Sequence, residues 1–117
     1  MLYVFLGAGF GGIMRYVISL IIKHPAGVFP VVTLCINLVG CLMIGVLHGY
    51  FTKYNFMPEI RLLCITGLLG GFTTFSSFSL ENISLLQQGF YLQALCYSMI
   101  SVCGGIILCG FGLFLSR

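Results

Sequence analysis

The sequence predicts an all-α integral membrane fold of four transmembrane helices with a break in helix 3, and three observations carry that prediction. The 117 residues are 60% hydrophobic and only 6% charged, about a quarter of the charge usual in a soluble domain. Four apolar stretches, each long enough to cross about 30 Å of hydrocarbon at about 1.5 Å per residue, are separated by turn residues. Inside the third, a glycine pair is followed by five hydroxyl side chains within positions 73–79. A chain this apolar has no soluble surface. Its five Lys/Arg and two Asp/Glu give a formal +3, but the positive charges are scattered and form no nucleic-acid footprint.

The chain reads as one domain, 1–117, with spans at about 2–22, 30–52, 58–88 and 90–116. The first stretch lacks the basic start and small-residue cleavage site of a signal peptide and carries Arg15, so it is read as a retained helix. It ends at the turn Lys23-His24-Pro25-Ala26-Gly27. Lys53-Tyr54-Asn55 closes the second. The third opens at Pro58, which suits a first helical turn, with Glu59 where the helix dipole favours a negative charge. Gly89 begins the turn into the fourth, and Arg117 marks an interface.

The third span reads cleanly only to Gly70. Gly70-Gly71-Phe72-Thr73-Thr74-Phe75-Ser76-Ser77-Phe78-Ser79 is not the composition of a lipid-facing helix, and the span is expected to be broken near 70–79. Non-helical backbone at membrane depth persists only where protein or a polar cavity satisfies its hydrogen bonds, so the break marks the functional region. The competing reading is an ordinary helix whose Ser and Thr bond back to carbonyls one turn earlier.

Other motifs carry architecture. Gly7-Ala8-Gly9-Phe10-Gly11-Gly12 matches a dinucleotide fingerprint but lies in a membrane span, without the strand that fingerprint needs. The pairs Gly7/Gly11, Ala8/Gly12, Gly45/Gly49 and Gly67/Gly71 have the spacing that lets helix backbones approach. Cys35, Cys41, Cys64, Cys96, Cys103 and Cys109 show no metal-binding spacing and are read as packed free thiols. His48 reads as interfacial.

Arg15 either snorkels to the interface or faces a vestibule, where its field would gather anions. Thr33 and Asn37 share a face of the second helix, as do Tyr97 and Ser101 of the fourth. These are hydrogen-bond donors with no carboxylate beside them, a lining suited to an anion; interhelical bonding is the plain alternative. Phe75 and Phe78, three apart, can turn positive ring edges toward an anion or simply pack. Glu81 is placed to cap the resumed helix or to pair with Arg15. Lys53, Arg61 and Arg117 on one side against Lys23 and Arg15 on the other give so small a positive-inside bias that insertion both ways round is permitted. Four short helices enclose no polar path alone, so at least a dimer is expected.

Gly11-Gly12-Ile13-Met14-Arg15-Tyr16, Asn37-Leu38-Val39-Gly40 and above all the run from Gly67 to Glu81 resemble the Fluc, or CrcB, fluoride channels, over essentially the whole chain. The resemblance implies an antiparallel dual-topology homodimer in a microbial cell membrane that exports fluoride passively and is not an enzyme. It implies that Phe75, Phe78 and Asn37 line the fluoride pore with the hydroxyls of Thr74, Ser76 and Ser77, and that Tyr97 and Ser101 form a polar track. Arg15 would belong to the vestibule. The Gly70 and Thr73 carbonyls would hold a structural Na+ at the dimer centre. Phe75-Ser76-Ser77-Phe78 stands where the family commonly has Phe-Ser-Thr-Phe, and the track meets Gly105 where a hydroxyl would continue it.

Two other functions share features with this sequence. A small proton-coupled multidrug exporter has similar length and helix count but relies on a glutamate in its first helix, where this chain has Arg15. A non-conducting assembly subunit would use the same hydroxyls and small residues only to pack. No G-x-S-x-G or His/Asp pair accompanies the serines, which argues against an enzyme.

Overall fold

A computed structural model describes residues 1–22 and 29–117, and the turn expected at 23–27 lies outside the described residues. Among the described residues four helices are long and apolar enough to cross a membrane: Leu2–Ile21, Val31–Lys53, Pro58–Gln87 and Tyr91–Leu115. The third comprises an α-turn Pro58–Arg61, wide π-helical turns Leu62–Leu69, a short α segment Gly70–Phe72 and a second limb Phe75–Gln87. The fourth also widens into π-turns at Ile100–Gly104.

Local chemistry ends each helix where it ends. After Lys53, Asn55 takes a left-handed φ of 49°, and the Phe56 N–H returns 3.2 Å to the Phe51 carbonyl. Their rings meet with centroids 4.9 Å apart, the apolar contact that accompanies this helix stop. After Gln87, Gly89 has a φ of 81°, and the Phe90 and Gly89 N–H groups reach the Leu85 and Leu86 carbonyls. These bonds satisfy carbonyls a helix end would otherwise leave bare.

The helices associate in two close pairs through glycine. A Cβ on Gly7 or Gly11 would overlap the Leu63 or Leu68 carbonyl, and one on Gly71 the Ala8 carbonyl, so the first helix lies backbone to backbone on the third. A Cβ on Gly45 would overlap the Cys109 carbonyl and one on Gly112 the Leu42 carbonyl, which joins the second helix to the fourth. Gly12 has open space where its Cβ would stand, so it meets no neighbour among the described residues.

Buried side chains form two small clusters. Leu34, Leu85, Ala94 and Tyr97 pack with Phe29, Phe78 and Phe90, while Val32, Ile36 and Phe72 pack with Ile18. Phe5, Phe10, Phe111 and Phe114 are exposed on the chain, as lipid-facing or partner-facing side chains are. Cys35, Cys96 and Cys103 are exposed with them, a correction to the reading of all six thiols as packed. A small apolar side chain is as stable against hydrocarbon as in a core, so its position along a span does not fix its burial.

Candidate functional site

The site is built around two residues. Thr73 (φ −79°, ψ 155°) and Thr74 (φ −147°, ψ 117°) are extended, while Gly70–Phe72 before them and Phe75–Gln87 after them are helical. The extended backbone is thus two residues long, shorter than the ten-residue stretch the composition suggested. Thr73 and Ser79 bond back to the Leu69 and Phe75 carbonyls, each at 2.9 Å, in the manner of ordinary helical hydroxyls. Thr74 does something else. Its Oγ1 accepts from the Ser77 N–H at 3.2 Å and caps the second limb, the exchange that favours Thr at a helix start.

Asn37 supplies what the extended backbone lacks. Its Oδ1 accepts from the Thr74 N–H at 2.8 Å and its Nδ2 donates to the Thr74 carbonyl at 3.1 Å. A carboxamide copies a peptide group, so one side chain satisfies both backbone groups of Thr74. The Gly70 carbonyl loses its helical partner in the process, because that partner would be the Thr74 N–H. Gly70 itself is exposed on the chain.

Two cavities meet at Thr74. One, of about 270 Å³, is lined by Asn37, Thr73, Thr74, Phe75, Phe78 and Ser101, among others. The Phe75 and Phe78 rings lie with centroids 5.5 Å apart and planes inclined by 37°. Phe75 is 78% exposed, open to whatever covers this face. The Ser101 Oγ is buried without a hydrogen-bond partner, and one of the two Asn37 Nδ2–H bonds is committed to Thr74. This wall therefore offers a second amide N–H to an acceptor entering the cavity, beside a covered Ser101 hydroxyl that has no partner among the described residues. The other cavity, of about 280 Å³, is polar; Arg15, Ser19, Thr33, Thr74, Ser77 and Glu81 line it.

The structure separates residues that spacing had grouped. Tyr97 does not share a wall with Ser101: it is fully buried, edge-on to Phe29 at 5.6 Å and beside Phe78 at 5.1 Å, and its hydroxyl donates 2.7 Å to Glu81 Oε2. The helix is α only as far as Met99, so the rule that residues four apart share a face stops there. Ser76 lies on Thr74 Oγ1 at 3.1 Å and lines neither cavity, and Ser77 faces the Arg15 cavity, away from the phenylalanines.

Glu81 takes neither partner expected of it. Its oxygens accept from Thr33 Oγ1 at 2.6 Å and from Tyr97, tying the second, third and fourth helices together, while Arg15 faces it across the polar cavity. Helical spacing puts Thr33 on the Asn37 face but carries no signal for this triad, which only tertiary packing assembles.

The profile described as "CrcB-like protein, Camphor Resistance (CrcB)" matches residues 2–113. The chain belongs to the CrcB family. It is 43% identical over 117 residues to a protein of Flavobacterium psychrophilum named "Fluoride-specific ion channel FluC", covering 98% of this chain and 94% of that one. A protein of Chloroflexus aurantiacus with the same name is 45% identical over 114 residues, 96% of this chain and 90% of its own. One from Methylobacterium sp. is 46% identical over 106 residues, 90% and 86% of the two chains. These CrcB relatives are named as channels, and no enzymatic activity figures in their names.

Proposed function

We propose that this CrcB chain is the subunit of a fluoride-selective channel that lets fluoride leave the cytoplasm passively across the cell membrane. One observation carries the reading beyond the relatives' names. A single cavity brings together the Phe75/Phe78 ring pair, a free amide N–H of Asn37 and the unpartnered hydroxyl of Ser101, with no carboxylate on its wall. Fluoride is a small, strongly hydrated acceptor. Donors fixed on rigid helices replace part of its water, and ring edges carry partial positive charge while excluding bulk solvent. In the neighbouring polar cavity the Arg15 guanidinium is the cationic group an entering anion meets, opposed there by the Glu81 carboxylate that Thr33 and Tyr97 hold.

Two chains in antiparallel orientation complete the assembly. The exposure of Phe75 leaves one side of the groove for a partner to close, and the slight charge bias accommodates both orientations in one membrane. A sodium ion fits the donor set at the centre. The Gly70 carbonyl is released from its helical bond and the Thr73 backbone is extended, so two hard oxygens per chain are available, four around a two-fold axis. When bound, the cation offsets the charge of anions nearby.

The physiological half of the proposal is tested by expressing the chain in a bacterial strain without its own fluoride exporter and measuring growth in fluoride. Rescue by the native chain and loss of rescue with Phe78→Ile, at equal membrane levels, supports export. Equal sensitivity with and without the native chain refutes it.

A further inference from the structure

The cavity of Phe75 and Phe78 continues along the fourth helix. Cys41 and Ser101 line it and also line a second, largely apolar cavity of about 410 Å³ that includes Gly105 and Cys109. Two thiols from different helices thus face one space, flanked by a hydroxyl whose oxygen has no partner. Glycine sets their spacing. A Cβ on Gly105, one turn before Cys109, would stand 3.2 Å from the Cys41 sulfur, and a Cβ on Gly45, one turn after Cys41, would overlap the Cys109 carbonyl. Cys41 and Cys109 therefore lie about one helical turn apart along the axis of the helix pair, roughly 5.4 Å, and on facing helices.

We propose that Cys41 and Cys109 form a two-coordinate site for a soft, thiophilic divalent cation, for which Hg2+ is the probe. Both thiols line one cavity, so rotation about χ1 can bring the two sulfurs to opposite sides of one ion. Among the described residues no group of three or more His, Cys, Asp or Glu converges anywhere, so harder metals that need three or four ligands have no comparable site. Charge selects further. Hg2+ and two thiols give a neutral bis-thiolate and two protons released to water, without oxidation or reduction, so the apolar cavity holds no net charge.

The test uses purified full-length chain with Cys35, Cys64, Cys96 and Cys103 changed to Ala, loaded with Hg2+, challenged with excess glutathione and read by mass spectrometry. The Cys41/Cys109 pair should keep one mercury per chain and lose it at least about tenfold more slowly than the variants that also carry Cys41→Ala or Cys109→Ala, because the second thiol binds intramolecularly. Loss as fast as from either single-thiol variant overturns the site. Should the four-Ala background fail to assemble, the same challenge on native chain and on its Cys41→Ala and Cys109→Ala variants decides it. Each change should then remove one glutathione-resistant mercury per chain, and an unchanged number overturns the proposal. The readout is binding, so its failure is separate from any failure of fluoride conduction.

Discussion

Replacing Asn37 by Ala removes two hydrogen bonds at once, and what they leave behind sets the size of the effect. The Thr74 N–H and carbonyl, held at 2.8 and 3.1 Å, lose their partners together. A buried polar group left unpaired costs about 1–3 kcal/mol, so two cost about 2–6. The adjoining cavity of about 270 Å³ has room for water to take over part of the bonding. An expected loss of about 2–4 kcal/mol follows, well above the roughly 0.6 kcal/mol typical of a side-chain hydrogen bond between membrane helices. Ser101→Ala is the control: its Oγ has no partner, so stability should stay within about 0.5 kcal/mol of native. Reversible unfolding of the purified protein in mixed detergent measures both, and fluoride efflux measures conduction. Asn37→Ala should lower stability and flux, and Ser101→Ala flux alone. An Asn37→Ala protein as stable as native would refute the claim that Asn37 holds the extended backbone.

Other expectations follow from the same geometry. Gly11→Ala places a methyl against the Leu68 carbonyl and should destabilise by about 1–3 kcal/mol, whereas Gly9→Ala, with open space around it, should be neutral or gain up to about 1 kcal/mol of helix stability in the same unfolding assay. Tyr97→Phe leaves a Glu81 oxygen without its donor and should lower the unfolding free energy by about 1–3 kcal/mol; an unchanged value would contradict the triad. Arg15→Gln should reduce fluoride flux more at low than at high ionic strength, since salt screens the field it supplies, and a salt-independent loss would point to a contact role.

Much of the architecture was legible because lipid is an unforgiving neighbour. Spans of apolar residues, Pro58 at a start and Gly89 at a stop follow from backbone chemistry that acts locally. Gly7, Gly11, Gly45 and Gly71 were legible too, since small residues at helical spacing have few other uses in a membrane. Gly12 shares that spacing and meets no neighbour among the described residues, because spacing names a face and not its neighbour. The hydroxyl run showed where the third helix is unusual but not how far. A serine or threonine bonds equally well to a carbonyl four residues back or to a cap, and Asn37, 37 residues earlier, accounts for Thr74. Helical spacing puts Tyr97 beside Ser101, while in the structure its phenol lies between two rings with its hydroxyl on Glu81, a partner that spacing does not name. Tertiary partners of this kind leave no periodic trace.

The groove of Asn37, Phe75, Phe78 and Ser101 is the proposed path of fluoride. Fluoride efflux from liposomes containing the purified chain, followed with a fluoride electrode and with chloride as the comparison ion, tests it most directly. A conducting groove gives rapid release of fluoride, little of chloride, and loss of fluoride flux in Phe75→Ile and in Phe78→Ile with the assembly intact. Fluoride release no faster than from protein-free liposomes, or native rates in both phenylalanine variants, would contradict it.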